Sequence, residues 1–181
     1  GYYAFQGCLS LTNINIPDNV TSIGYYAFQG CSSLTSIVIP DSVTSIDQYA
    51  FSGCNILEAV YISDIAAWCN IDFYGNTANP LCYAKNLYLN GELVTELNIP
   101  DSVTSIGDHT FYGCSSLTSV NIPDSVTSIG NLTFSGCSSL TSITIPDSVT
   151  SIGEFVFFGC SKLTNVYYIG TESEWNAISN S

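Results

Sequence analysis

The chain has 181 residues, 46% of them hydrophobic and 13% aromatic, with 15 acidic side chains against 2 basic ones and a formal net charge of −13. That much apolar material excludes a disordered acidic tail. Lys85 and Lys162 alone cannot neutralise a row of phosphates, which sets aside nucleic acid and anionic membrane surfaces as partners, and no apolar run approaches the roughly 20 residues of a membrane-spanning helix.

Self-similarity organises everything else. Gly1-Tyr2-Tyr3-Ala4-Phe5 matches Gly24 to Phe28, so the chain starts inside a unit; with no leader segment and no Met, a piece of a longer protein is expected. The octet Ile-Pro-Asp-Ser-Val-Thr-Ser-Ile at 39–46 returns at 99–106, 122–129 and 145–152, with a variant at 16–23. Cysteines keep the same step of 23 at Cys8, Cys31 and Cys54, and again at Cys114, Cys137 and Cys160. From Cys54 to Cys114 the step is 60, two periods plus 14 residues, so one unit is enlarged. Leu11, Leu34, Leu57, Val94, Leu117, Leu140 and Leu163 mark the units.

A period of this length predicts a solenoid whose units bury their apolar faces against one another. Within a unit, Ile37 and Ile39 alternate with Ser36 and Val38, the period-2 pattern of a strand. Pro40-Asp41-Ser42 turns the chain, Val43 and Ile46 lie on a short extended piece, and Ala27, Phe28, Cys31 and Leu34 fall on one face of a predicted short helix. Stacked strands form a parallel sheet that advances about 4.8 Å per unit.

Regular units are read over 1–62, an enlarged unit over 63–96, regular units over 97–165 and a Trp-containing variant over 166–181, all in one repeat domain. In the enlarged unit Val60-Tyr61-Ile62 reads as a strand and Asp64 to Ile71 as a helix capped by Ser63 or Asp64. Residues 73–86 read as loop, and Asn90-Gly91 between alternating apolar residues predicts a β-hairpin. Val166-Tyr167-Tyr168 and the helical stretch Thr171 to Ile178 repeat the strand and Trp helix of the enlarged unit. The open end of such an array, with no polar cap, predicts self-association.

The repeated Ile-Pro-Asp-Ser-Val-Thr-Ser-Ile-Gly, followed by Ala-Phe-Gln-Gly-Cys-Ser-Ser-Leu at 27–34, resembles the BspA-like leucine-rich-repeat family of bacterial cell-surface proteins. The resemblance covers nearly the whole chain. It implies a right-handed leucine-rich-repeat solenoid, an α/β superhelix with a parallel concave β-sheet, on secreted or surface-anchored bacterial proteins that adhere to host matrix or other cells. It implies no enzyme.

The residues themselves offer little chemistry. Six cysteines share one position beside Phe and Leu and read as small apolar members of an inward ladder. Without a Cys-x-x-Cys and with His109 as the only histidine, no zinc site is expected; Cys69 and Cys82 are the one candidate bridge. His109 aligns with Tyr26, Tyr49, Leu132 and Phe155 and reads as packing rather than as a catalytic base. Asp18, Asp41, Asp101, Asp124 and Asp147 follow the turn proline, where a carboxylate can accept the next backbone amides; stacked carboxylates suggest weak Ca²⁺ binding as the alternative. No phosphate loop follows a strand, and no cofactor is expected.

The best candidate is the exposed strand face, whose residues vary while the rest of the unit repeats. The candidate ligand-binding residues are Val38, Tyr61, Asn98, Asn121, Thr144 and Tyr167, with Tyr74 and Tyr83 from the insertion. Repeat arrays bind protein or glycan ligands on such extended surfaces, and the alternative is a spacer that presents other domains.

Overall fold

The computed structural model describes residues 1–180. The first half contains β1 (Ser22–Ile23), β2 (Ser36–Val38), β3 (Ser45–Ile46), β4 (Ala59–Ile62), α1 (Ile65–Cys69), β5 (Asp72–Phe73), α2 (Leu81–Ala84), β6 (Asn86–Leu89) and β7 (Glu92–Leu93). The second contains β8 (Glu96–Asn98), β9 (Ser105–Ile106), β10 (Ser119–Asn121), β11 (Ser128–Ile129), β12 (Ser142–Ile145), β13 (Ser151–Ile152), β14 (Asn165–Tyr168), α3 (Glu172–Ala177) and β15 (Ser179–Asn180).

Each turn of the solenoid carries two short strands. The longer ones build the open-face sheets β2-β4-β6-β7 and β8-β10-β12-β14; the two-residue ones build β1-β3-β5 and β9-β11-β13-β15. All pairings are parallel except β6 with β7. Strand alternation decides which side is core: Ile37, Val60, Leu87, Leu97, Val120 and Ile143 are buried while their neighbours, apart from the buried Ala59, are partly or fully exposed. Val43 and Ile46, predicted on an extended piece, are buried beside the second ladder, as are Val103, Ile106, Val126 and Ile129, while Val20 and Ile152 are partly buried.

The predicted helix of each unit is instead a stack of turns. Its burial pattern holds, since Ala27, Phe28, Cys31 and Leu34 are all buried. The backbone, however, turns left-handed at Tyr26 (φ 57°) and Gly30 (φ 72°), which a helix cannot contain. Ala27 N–H donates to Gly24 O at 3.1 Å and Gln29 N–H to Tyr26 O at 3.1 Å, closing single turns. The amides between them, Phe28 and Gly30, donate to Ala50 and Ser52 of the next rung, both at 2.7 Å. Half of the donors a helix would use are thus committed between rungs. The left-handed position recurs at Tyr3, Tyr49, His109, Leu132 and Phe155 with φ between 56° and 61°.

The proline turns also differ from expectation. Val N–H donates to Pro O across each turn at 3.0–3.2 Å, so main chain rather than the Asp carboxylate closes it. The neighbouring serine reaches the adjacent rung, as in Ser42 Oγ to Val20 O at 2.8 Å and Ser125 Oγ to Val103 O at 2.7 Å.

The enlarged unit interrupts both ladders and then rejoins them. Asp64 caps α1 by accepting Ala66 N–H at 2.6 Å and Ala67 N–H at 3.1 Å. The stretch 73–86, expected as loop, carries the end of β5 and the single turn α2, because buried Asn79 Oδ1 accepts Leu81 N–H at 2.9 Å. The hairpin forms as predicted, with Asn90 (φ 52°) and Gly91 (φ 88°) at its tip and Tyr88 opposite Leu93. In a regular rung the carbonyl equivalent to Thr110 O accepts a main-chain amide, as Thr133 O accepts Phe111 N–H at 3.0 Å. The enlarged unit substitutes side chains: Trp68 Nε1–H donates to Thr110 O at 3.0 Å, and Asn79 Nδ2 to His109 O at 2.8 Å and to Thr110 O at 2.9 Å.

Close stacking makes the turn glycines unequal. A Cβ on Gly130 would fall 2.6 Å from Asp108 N, whereas one on Gly107 meets Thr110 Oγ1 at an ordinary 3.6 Å. Gly130→Ala is therefore expected to lower the unfolding free energy by about 2 kcal/mol, and Gly107→Ala to change it by less than about 0.5 kcal/mol, in urea denaturation.

Candidate ligand-binding face

Strand register places the outward side chains in rows. In the first open-face sheet Val38 pairs with Tyr61, Tyr61 with Tyr88 and Tyr88 with Leu93, giving an apolar stripe across four strands. Tyr61 and Tyr88 stack with ring centroids 4.8 Å apart, and Val38 and Leu93 at the two ends are 51% and 41% exposed. The corresponding row of the second sheet is Asn98, Asn121, Thr144 and Tyr167, small and polar until its last member, which is 56% exposed.

Of the residues predicted for this face, Val38 and Tyr61 share the first row and Asn98, Asn121, Thr144 and Tyr167 the second. Tyr74 and Tyr83 lie elsewhere. Tyr74 follows β5 and donates its amide to Ile46 O at 3.1 Å, which puts it on the second ladder. Tyr83 sits in α2, half-buried against the core, its phenol pKa raised by burial. Tyr88 and Leu93 complete the stripe in their place. Their signal in the sequence was hidden because Tyr88 follows Tyr61 by 27 residues instead of the period of 23.

The remaining polar groups act structurally. All eight cysteines are free, Cys69 and Cys82 included, and Cys69 is buried, so the candidate bridge is not formed. The ladder thiols are donors rather than inert apolar groups: Cys54 Sγ donates to Phe28 O and Cys137 Sγ to Phe111 O, both at 3.3 Å, and Cys160 Sγ to Phe134 O at 3.1 Å. Burial pushes Cys54 and Cys69 up to about 12 and Cys114 up to about 11. Among the described residues no three His, Cys, Asp or Glu side chains converge as a metal site; Asp41, instead of joining a carboxylate cluster, accepts Ser63 Oγ–H at 2.9 Å. His109 is half-buried with Nδ1 unpartnered, its ring 6.2 Å from that of Tyr112.

The family model for the BspA-type leucine-rich repeat region matches residues 1–79 and 84–181 in six copies. The chain belongs to the BspA-type leucine-rich repeat family. A leucine-rich repeat protein from Bacteroides ovatus is 38% identical with a TM-score of 0.55, over 92% of this chain and 39% of its own. A Treponema pallidum leucine-rich repeat protein is 27% identical with a TM-score of 0.52, over 90% of this chain and 70% of its own. A leucine-rich cell surface protein from Faecalibacterium prausnitzii is 26% identical over all of this chain and 79% of its own, with a TM-score of 0.35. The BspA-type chain thus spans about two fifths of the Bacteroides protein's length. No curated protein matches the sequence.

Two outcomes check the buried groups of this BspA-type domain. In the native state at neutral pH, exposed Cys8 is expected to react with a disulfide reagent far faster than the buried ladder thiols, and all eight to react after denaturation. Burial lowers the His109 pKa, with Asp108 opposing. The unfolded chain therefore takes up a proton near its ordinary pKa of about 6.5 before the folded one does. Stability is complete above that value and falls as pH drops below it toward the folded pKa. Urea midpoints should decline over this window in the parent and less in His109→Leu, which installs the residue found at Leu132.

Proposed function

We propose that this BspA-type domain is a non-catalytic recognition module of a bacterial surface protein that takes a protein or glycan ligand on its open sheet face. The observation that carries the reading is the stripe Val38, Tyr61, Tyr88 and Leu93, an outward apolar row with a stacked tyrosine pair at its centre, where the second row holds Asn98, Asn121 and Thr144 before its single Tyr167. Tyrosine supplies large contact area at low entropic cost, and such residues dominate interface energetics. The enlarged unit completes this patch, since β6 and β7 add Tyr88 and Leu93 to Val38 and Tyr61 of the regular strands. The row Asn98, Asn121 and Thr144 offers no comparable anchor and favours a second reading for that half, a spacer that holds the recognition surface and any neighbouring domains apart.

The two readings separate on a panel of immobilised glycans and matrix proteins. Replacing Val38, Tyr61 and Tyr88 with Thr, Asn and Asn, residue types of the second row, is expected to abolish captured ligand, while Asn98→Ala with Asn121→Ala leaves it within about twofold. Equal capture by parent and stripe variant, or no capture by the parent, would leave the spacer reading in place.

A further inference from the structure

The two halves use the same turn differently. In the second half the turn glycine is followed by Asp108, Asn131 and Glu154, and these side chains tie rung to rung. Asp108 Oδ1 accepts Asn131 N–H at 2.7 Å, and Asn131 Oδ1 accepts Glu154 N–H at 2.6 Å. In the first half the equivalent pairs are Gly1-Tyr2, Gly24-Tyr25 and Asp47-Gln48. Two tyrosines occupy the positions of the bonding Asp and Asn, and a carboxylate occupies a glycine position. The rung-to-rung bonds are given up for an aromatic surface.

That surface is ordered. Tyr3, Tyr26 and Tyr49 stack with centroids 5.5 Å and 5.1 Å apart and ring planes within 16° and 12° of parallel. Tyr25 stands across them, 4.1 Å from Tyr26 and about 6 Å from the other two, at 75–89°. Tyr2, Tyr3 and Tyr25 line an open cleft with Asp47, and Tyr49, inside the array, is 38% exposed. The hydrogen bond with Tyr26 is the largest of the effects that push the Tyr25 phenol up to about 12, so it stays neutral. Asp47 is the one acidic side chain of the cleft, and among the described residues its carboxylate makes no hydrogen bond or ion pair. Neither lysine serves it: Lys85 Nζ donates to Cys82 O, and Lys162 lies in the far repeat.

We propose that this tyrosine cleft is a second interaction site, separate from the open sheet face, and that it takes the cationic side chain of a basic peptide segment. Electron-rich ring faces attract a cation, an adjacent carboxylate adds its charge, and the net charge of −13 steers a basic partner toward the domain. Arginine suits the site best, since its plane lies on a tyrosine ring while its N–H groups reach the carboxylate.

The second half supplies the test variants. Tyr25→Asn and Asp47→Gly install the residues found at Asn131 and Gly130, so both are compatible with the fold. Glu154→Gln removes one charge outside the cleft. The probe is the peptide Gly-Arg-Gly-Arg-Gly-Arg-Gly, with an Arg-to-Lys and an Arg-to-Glu version, measured by calorimetry. The arginine peptide is expected to bind the parent and Glu154→Gln equally, each cleft variant about tenfold more weakly, and the glutamate peptide not to bind. Melting temperatures within a few degrees of the parent exclude unfolding as the cause. Equal weakening by Glu154→Gln would reduce the effect to net charge and overturn the proposal. So would unchanged binding by Tyr25→Asn, no binding by the parent, or preferential binding of phosphatidylcholine vesicles over the peptide.

Discussion

Registration between successive rungs is the constraint on which this molecule depends. Phe28 and Gly30 amides reach Ala50 and Ser52, and Thr44 and Thr127 amides reach Thr21 and Thr104, so each residue is placed by its equivalents one period away. The side chains obey the same spacing. Phe5, Phe28 and Phe51 stack at 5.3 Å, and Phe111, Phe134 and Phe157 at 5.6 and 6.1 Å. A residue that suits one rung must also suit the two that touch it, which explains the near-verbatim repetition of the Phe, Cys and Leu positions inside.

The enlarged unit shows what it takes to break such a ladder and restart it. An insertion removes main-chain donors that the next rung requires, and a buried carbonyl left alone is costly. Trp68 and Asn79 meet that requirement at Thr110 from side chains. The hairpin then closes the first open-face sheet with an antiparallel strand, so β7 ends one sheet and β8 begins another. The same insertion that needs these bonds also delivers Tyr88 and Leu93 to the face. Structural repair and half of the proposed recognition stripe come from one segment.

Most of the architecture was legible because it is written several times over. Strand alternation, the core ladder, the helix capped by Ser63 or Asp64 and the Asn-Gly hairpin all followed from residue pattern. The turn stack did not, because Ala27, Phe28, Cys31 and Leu34 have the spacing of a helical face and the left-handed backbone falls on Tyr26, a residue type that gives no such signal. Interruption of the sheet at β7 was likewise hidden, since a hairpin reads locally as a hairpin whether or not it caps a ladder. Of the candidate face, Val38 and Tyr61 could be read from alternation. Their partners Tyr88 and Leu93 could not be aligned until the 27-residue step was known.

The side-chain bridge at Thr110 also governs how this array can change in length. Regular rungs hand the same main-chain hydrogen bonds and the same phenylalanine ring from one to the next, so a 23-residue unit duplicated or deleted leaves these inter-rung contacts in kind. Such exchange is neutral to packing within a run of regular units. It is not neutral across the enlarged unit, where Trp68 and Asn79 must meet one particular rung. Reach can therefore drift over generations while the surface built around the insert stays intact.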